Sequence, residues 1–350
     1  MIDFSKMCSK SKYIYIKDLK IGDKITQVFL VAHIDGSRIT KTGKPYARLQ
    51  LKDRYGDIPV NVWGFNSKKN PELKAGVYIQ AELEVQDYKG TKNGVMCGLP
   101  MIVPTPADLS PYENHLGLSS KESDSFYDYL MGVKDEVMDP LIKAYLDVIF
   151  DNAETKRLFK IAPASASNRG AYRGGLVEHV AKVMHNAEAI VESQKWAHSP
   201  APLNKDIVIA GVLVHDLGKM YAYTVDITGA KHTRSGRLLQ HLPISYSLSI
   251  QAFIQTESVL GKPIPEETKD HINHCILAHH GQLEFGSPVK PQSLEAQIVH
   301  MADMADSTVS CFAEPARDNQ TMIDSDGFVE GTWLSSKHIY IGNKQSPDTP

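Results

Sequence analysis

Asp206 to Lys219 reads DIVIAGVLVHDLGK, an apolar run that ends on a His-Asp pair followed by Leu217-Gly218-Lys219. With no polar face, the run predicts a buried helix, capped by Asn204 or Asp206 and ended by Gly218. An imidazole and a carboxylate carried into such a helix are costly to bury without partners. A divalent cation is one partner, because imidazole and carboxylate donors together suit first-row metals. A hydrogen-bonded His–Asp pair with no metal is the other. The dipeptide alone favours the simple pair, and the rest of the chain decides against it.

Histidines and aspartates recur in the neighbouring apolar segments. Leu176 to Gln194 is helical in period, with Leu176, Val180, Val183, Ala187 and Ile190 as its stripe and His179 at the stripe's edge. Residues 221–243 read as an extended excursion that returns at Leu238-Leu239-Gln240-His241, and Ser245 to Gln255 is helical again. Glu266 to His280 puts Ile272, Cys275, Ile276 and His279 on one face, with His280 alongside. Ser293 to Phe312 follows, its expected core stripe being Leu294, Ile298, Met301, Ala305 and Val309. Asp303 flanks that stripe and Asp306 lies one helical step on. The order His179, His215-Asp216, His241, His279-His280, Asp303 sets ligand-type residues on or beside successive helices, as metal sites in helical folds do. That series outweighs the metal-free reading. With the amphipathic run Phe126, Leu130, Val133, Val137, Leu141, Leu146 and Ile149, it predicts an all-α domain over residues 121–315.

Residues 13–103 carry a different period. GKPYARLQLKDRYGDIPVNVW (43–63) gives two alternating runs about a turn at Tyr55-Gly56-Asp57, and residues 76–104 give two more. Upstream, a further strand candidate is broken by Asp35-Gly36. Five short strands with glycine at the corners predict a small all-β barrel of the OB type, and the 43–63 stretch resembles the central hairpin of nucleic-acid-binding OB domains. Tyr46, Arg48, Trp63, Phe65 and Tyr88, with Lys44, Lys89 and Lys92, are candidates for a stacking and phosphate-binding face; the aromatics fit the barrel core equally well. Residues 1–12 read as an extension, the proline-bearing 104–120 as a linker and 316–350 as a tail with strand-like pieces.

Composition agrees with a two-domain, soluble, globular chain of 350 residues. Residues 1–103 hold 17 Lys and Arg against 10 Asp and Glu, leaving 21 of the 38 basic and 31 of the 41 acidic residues for the remainder. A basic module on an acidic body points to a polyanionic partner. No apolar run spans a bilayer, the N-terminus lacks a signal-peptide core, and the scattered cysteines suit a reducing cytoplasm. Residues 157–175, rich in small residues, bring Asn168, Arg169 and Arg173 up to the His179 helix. They read either as an anionic-substrate site or as an ordinary interhelical loop.

The H…HD…H…HH…D order resembles the HD metal-dependent phosphohydrolase superfamily. GGLVEH (174–179), VLVHDLGK (212–219), GRLLQH (236–241), ILAHHGQLEFGSP (276–288) and IVHMADMAD (298–306) are similar, more narrowly, to the YhaM family of 3′→5′ exoribonucleases, in which an OB-fold precedes the HD domain. The resemblance covers roughly residues 13–312. It implies His179, His215, Asp216 and Asp303 as one metal site, and His241 with His279 or His280 or both at a second, Asp216 bridging. It further implies manganese as the metal, and Lys219 beside the substrate phosphate with Asp216 in a catalytic role. The chemistry implied is phosphodiester hydrolysis with two cations about 3.5–4 Å apart, acting on single-stranded RNA or DNA. Two other readings remain at this point: an HD phosphohydrolase of nucleotides or cyclic nucleotides, and a single-strand-binding protein whose HD domain is structural. The oligomeric state is left open, a homo-oligomer included.

Overall fold

The computed structural model describes residues 13–342 except 41, 54–55, 66–69, 89–90, 97, 105, 107–116, 167–169, 197, 199–200, 227–228, 318–325 and 332–336. The expected Asn168, Arg169 and Lys89, and the turn residue Tyr55, lie outside the described residues. The chain divides into two compact units, Met1–Leu116 and Gly117–Pro350.

The first unit is a closed five-stranded barrel of OB-like topology. Its strands are β1 (Lys24–Ile39), β2 (Pro45–Asp53), β3 (Gly56–Trp63), β4 (Tyr78–Tyr88) and β5 (Thr91–Met96), with a short β6 (Met101–Val103) added to β4. β1 pairs antiparallel with both β2 and β4, and β3 pairs parallel with β5, which closes the ring. Every second residue of β2 and β3 points inward: Ala47, Leu49 and Leu51 meet Ile58, Val60 and Val62, all buried. Asp35-Gly36 does not break the first strand. The register with β2 shifts there and between Val31 and His33, so the small turn-type residues serve as bulges that let one strand bend round the barrel.

The second unit is mainly helical: α1 (Ser120–Asp135), α2 (Pro140–Phe150), α3 (Ala153–Ile161), α4 (Gly175–Gln194), α5 (Lys205–Val214), α6 (Lys219–Ala222), α7 (Arg234–Leu239), α8 (His241–Leu260), α9 (Glu266–Ala278) and α10 (Leu294–Arg317). A hairpin, β7 (Tyr223–Asp226) with β8 (Gly229–His232), follows α6, and β9 (Phe328–Glu330) pairs with β10 (His338–Tyr340) in the tail. α5 is the axis of this unit. Ile207 to Val214 are all buried, consistent with a run that has no polar face. Asn204 is its cap, accepting from the amides of Asp206 and Ile207. Asp206 instead accepts from the amides of Met138 and Asp139 at the start of α2. The helix also ends earlier than expected, at Val214, and residues 215–218 form a turn that leads into α6.

α10 departs from its expected stripe. Ile298 is buried, but Met301, Ala305 and Val309 face outward, and the core side is Ala296, Val299 and Ala302. The helix carries apolar residues on two faces, and the face with smaller side chains is the one that lets α4 and α5 approach. Asp303, next to Ala302, is thereby turned inward.

Candidate metal centre

Each ligand-type residue reaches the centre from a helix end or a buried helix face. His215 and Asp216 sit in the turn after α5, His241 opens α8, His279-His280 follow α9, and His179 and Asp303 project from α4 and α10. Gly218 makes the turn possible. A Cβ there would stand 2.1 Å from the His241 carbonyl oxygen, and its amide donates to Ser245 Oγ at 2.8 Å. The absence of a side chain thus seats the His-Asp turn against the first turn of α8.

Asp216 is the hub, and its two oxygens face different groups. Oδ2 lies 3.2 Å from His179 Nε2, 3.1 Å from His215 Nε2 and 2.6 Å from Lys219 Nζ. Oδ1 lies 3.3 Å from His241 Nε2 and 3.8 Å from His279 Nε2. Asp303 Oδ1 is 3.2 Å from His179 Nε2 on the other side. Two sets of donor atoms result, His179, His215 and Asp216 in one and His241, His279 and His280 in the other, each within 4.8 Å. All seven expected metal residues therefore converge, and Lys219 joins them.

The other ring nitrogens are tied down in His215, His279, His280 and His179. His215 Nδ1 meets the Val212 carbonyl at 2.7 Å, His279 Nδ1 that of Ile276 at 2.7 Å, and His280 Nδ1 that of Phe285 at 2.8 Å. A carbonyl only accepts, so Nδ1 carries the proton and Nε2 presents its lone pair. His179 differs: its Nδ1 is 2.8 Å from Asp306 Oδ2. Asp306 thus holds the ring from behind while Asp303 stands at the donor side. Sequence spacing placed Asp306 one helical step from Asp303 but could not show that one His179 ring separates them.

Six enclosed atoms test whether this set suits a cation: His179 Nε2, His215 Nε2, both His241 ring nitrogens and both Asp216 oxygens are buried without a well-directed hydrogen bond, the ion pair of Asp216 Oδ2 with Lys219 aside. Buried polar atoms left in that state are costly. Short separations without hydrogen-bond directionality are what lone pairs converging on a cation produce, and the residues fit a divalent metal. Burial pushes His241 down to about 3 and His279 well below its ordinary value, so both are neutral donors at physiological pH. Burial also opposes charge on His179, but Asp216, Asp303 and Asp306 outweigh it and lift the ring to about 10. For Asp216, burial opposes ionisation, yet Lys219 and His215 hold its carboxyl well below the usual range.

With its ring lifted this far, His179 should be protonated at pH 7.5 without metal, and coordination through Nε2 would require that proton to leave. Manganese binding should release about one proton per chain near pH 7.5 and none well above pH 10. Calorimetric titration in buffers of different ionisation heat measures it; no release near neutrality would mean that His179 is neutral before the metal binds or is not a ligand.

Gln240 is another feature that spacing does not reveal. It has φ 63° and ψ 170°, and among the described residues it is the one non-glycine residue with positive φ. This backbone region is almost exclusive to glycine and costs about 1–3 kcal/mol. The strain falls immediately before His241 and aims it into the centre. Gln240→Gly should raise stability by about 1 kcal/mol, after the larger unfolded-state entropy of glycine, and lower turnover. Denaturant unfolding checks the first effect, and an unchanged or lower stability would contradict it.

The centre opens into a cavity of about 320 Å³ whose wall includes Tyr172, Glu178, Lys182, Tyr223 and Phe285. Arg173, the neighbour of Tyr172, lines a different cavity from that of the metal residues. The reason is local: the 172–174 turn sends consecutive side chains to opposite sides of the loop. On the barrel, Trp63 and Tyr46 are cross-strand partners with ring centroids 5.2 Å apart, and Trp63 is 48% exposed. Arg48 is exposed on the same face of β2. Phe65 is buried in the barrel core. Tyr88 is exposed, but its partner Thr91 aligns with the start of β3, about six residues or roughly 20 Å of strand from Trp63. The structure does not bring it to the pair.

Comparison with known proteins agrees with this architecture. Residues 176–307 match the HD domain family and are an HD domain. Over most of its length the chain resembles proteins named 3'-5' exoribonuclease YhaM. It is 25% identical to that of Listeria welshimeri over 301 residues, 84% of this chain and 88% of the relative. Identity is 27% to that of Bacillus velezensis (82% and 86% covered) and 26% to that of Bacillus subtilis (83% and 87% covered). The resemblance read from the motifs holds. Among the described residues no helix is long and apolar enough to cross a membrane.

Proposed function

We propose that the protein is a metal-dependent 3′→5′ exonuclease of single-stranded RNA, single-stranded DNA being a further substrate to test. The observation that carries the proposal is the pair of donor sets sharing Asp216 in an HD domain that follows an OB-like barrel. The relatives' name supplies the substrate and polarity.

His179, His215, Asp216 and Asp303 would hold one divalent cation and His241, His279 and His280 a second, with manganese the proposed metal. Bound cations supply Lewis acidity toward water and phosphoryl oxygens. Asp216 orients both donor sets. Lys219, its charge maintained against burial by Asp216 and Asp303, sits on the cavity wall where it offsets charge building on a phosphoryl oxygen. Asp306 fixes the His179 ring. The Tyr46–Trp63 face, with Arg48, would stack the upstream bases and raise the local concentration of the end.

A time course with 5′-labelled single-stranded RNA and DNA, in manganese or in EDTA, tests this. The expected outcome is a ladder shortening from the 3′ end in manganese and intact strands in EDTA. Intact RNA with fully metallated protein would reject the exonuclease and favour nucleotide substrates.

A further inference from the structure

The helical unit lies in the acidic part of the chain, yet it contains a basic cavity. About 340 Å³ in volume, it is lined by Lys156, Arg157 and Lys160 of α3, by Arg173, and by Ser120 and Ser123 of α1. Two of the cations are compensated: Arg157 pairs with Glu154, and Lys160 with Asp124. Lys156 and Arg173 have no carboxylate partner among the described residues. The Lys156 ammonium stands 5.1 Å from the ring centroid of Tyr127, a contact that steadies it without removing its charge.

Arg173 is held at its backbone. Its carbonyl accepts from the Leu118 amide at 2.8 Å, and the next amide, of Gly174, donates to the Ile161 carbonyl at 3.2 Å. Gly117, at φ 89°, passes so close that a Cβ there would lie 1.9 Å from the Arg173 oxygen. The arginine is therefore anchored between the start of α1 and the end of α3.

The position of the cavity gives it meaning. Tyr172 faces the metal-side cavity and Arg173 faces this one, so a single loop separates them. A chain end at the metal residues must carry its remaining phosphates away across the surface. The wall of the metal-side cavity is poor in available positive charge: Lys182 is tied to Glu178 and Lys219 to Asp216, with Asp303 and Asp306 close by. Across the loop are two unpaired cations and two hydroxyls, groups suited to backbone phosphates.

We propose that the Lys156–Arg173 cavity binds the sugar-phosphate backbone of the RNA upstream of the terminal nucleotide. The proposal rests on the exonuclease reading for its substrate. It accounts for how an acidic unit handles a polyanion.

The test is Lys156→Ala/Arg173→Ala in the full chain, beside the charge-preserving Lys156→Arg/Arg173→Lys. Binding of a short single-stranded RNA is measured in EDTA as salt rises from about 50 to about 200 mM, the interval over which phosphate contacts dominate. Loss of two phosphate contacts should lower the logarithmic salt slope by about 1.4, so the wild-type advantage shrinks about 7-fold across that interval. The charge-preserving variant should keep the wild-type slope. In manganese, kcat/KM should fall for the longer RNA and stay unchanged for a dinucleotide. An unchanged slope, or an equal loss on the dinucleotide, overturns the proposal. So does binding of inorganic phosphate that requires these residues while RNA binding does not, which would make the cavity a small-anion site. Failure of the exonuclease reading is seen separately, as intact RNA with wild type and manganese, while the slope in EDTA still reports on the cavity.

Discussion

Asp216→Ala should abolish measurable hydrolysis, a loss beyond the roughly 100-fold that removal of an outer-shell metal partner costs. The geometry is the reason. One carboxylate faces His179 and His215 through Oδ2, and His241 and His279 through Oδ1. Deleting it removes the shared anionic donor from both sets and leaves the Lys219 ammonium buried without its 2.6 Å counter-ion. An unpaired buried charge of this kind is strongly destabilising, by about 3–5 kcal/mol. Asp216→Asn is the companion variant, because it keeps the shape and removes the charge. Bound manganese per chain and turnover are to be measured together for both variants. An alanine variant with full metal content and turnover within a few-fold of wild type would refute the hub role.

The second large effect belongs to the barrel. Removing Trp63 and Tyr46 together should raise KM for long single strands by roughly 5- to 150-fold, the equivalent of about 1–3 kcal/mol for one stacked base, with kcat little changed. The rings are 5.2 Å apart and Trp63 is half exposed, whereas aromatics given to the barrel core, such as Phe65, are buried. Their exposure is unfavourable for an isolated domain and useful for a base-stacking one. A dinucleotide, which offers no upstream bases to stack, should show no change. A fall in kcat on the dinucleotide would mean that the pair acts on folding.

Much of this was readable from the residues. The apolar run ending in His215-Asp216, the ligand-type residues on successive apolar segments and the alternation in residues 43–63 each follow from a local period, and the structure keeps all three. What escaped was set by tertiary geometry. Arg173 lies beside Tyr172 in sequence but on the other side of a loop. Met301, Ala305 and Val309 match a helical period, yet α10 has a second, smaller-sided face that packs more closely. Asp35-Gly36 has turn composition but sits in a strand that must curve, so it forms bulges. The positive φ of Gln240 leaves no compositional trace, because glycine would have been the residue to signal it.

The burial of α5 on every side has a consequence for how the centre comes apart. Its amides, from Ile207 to Val214, are covered by α4, α9 and α10, so hydrogen exchange there requires opening of most of the helical unit. The β7–β8 hairpin, four residues to a strand and with none of those residues buried, opens at smaller cost. The turn bearing His215 and Asp216 is continuous with the slowest-exchanging segment. The lifetime of the assembled ligand set is accordingly tied to that of the fold itself.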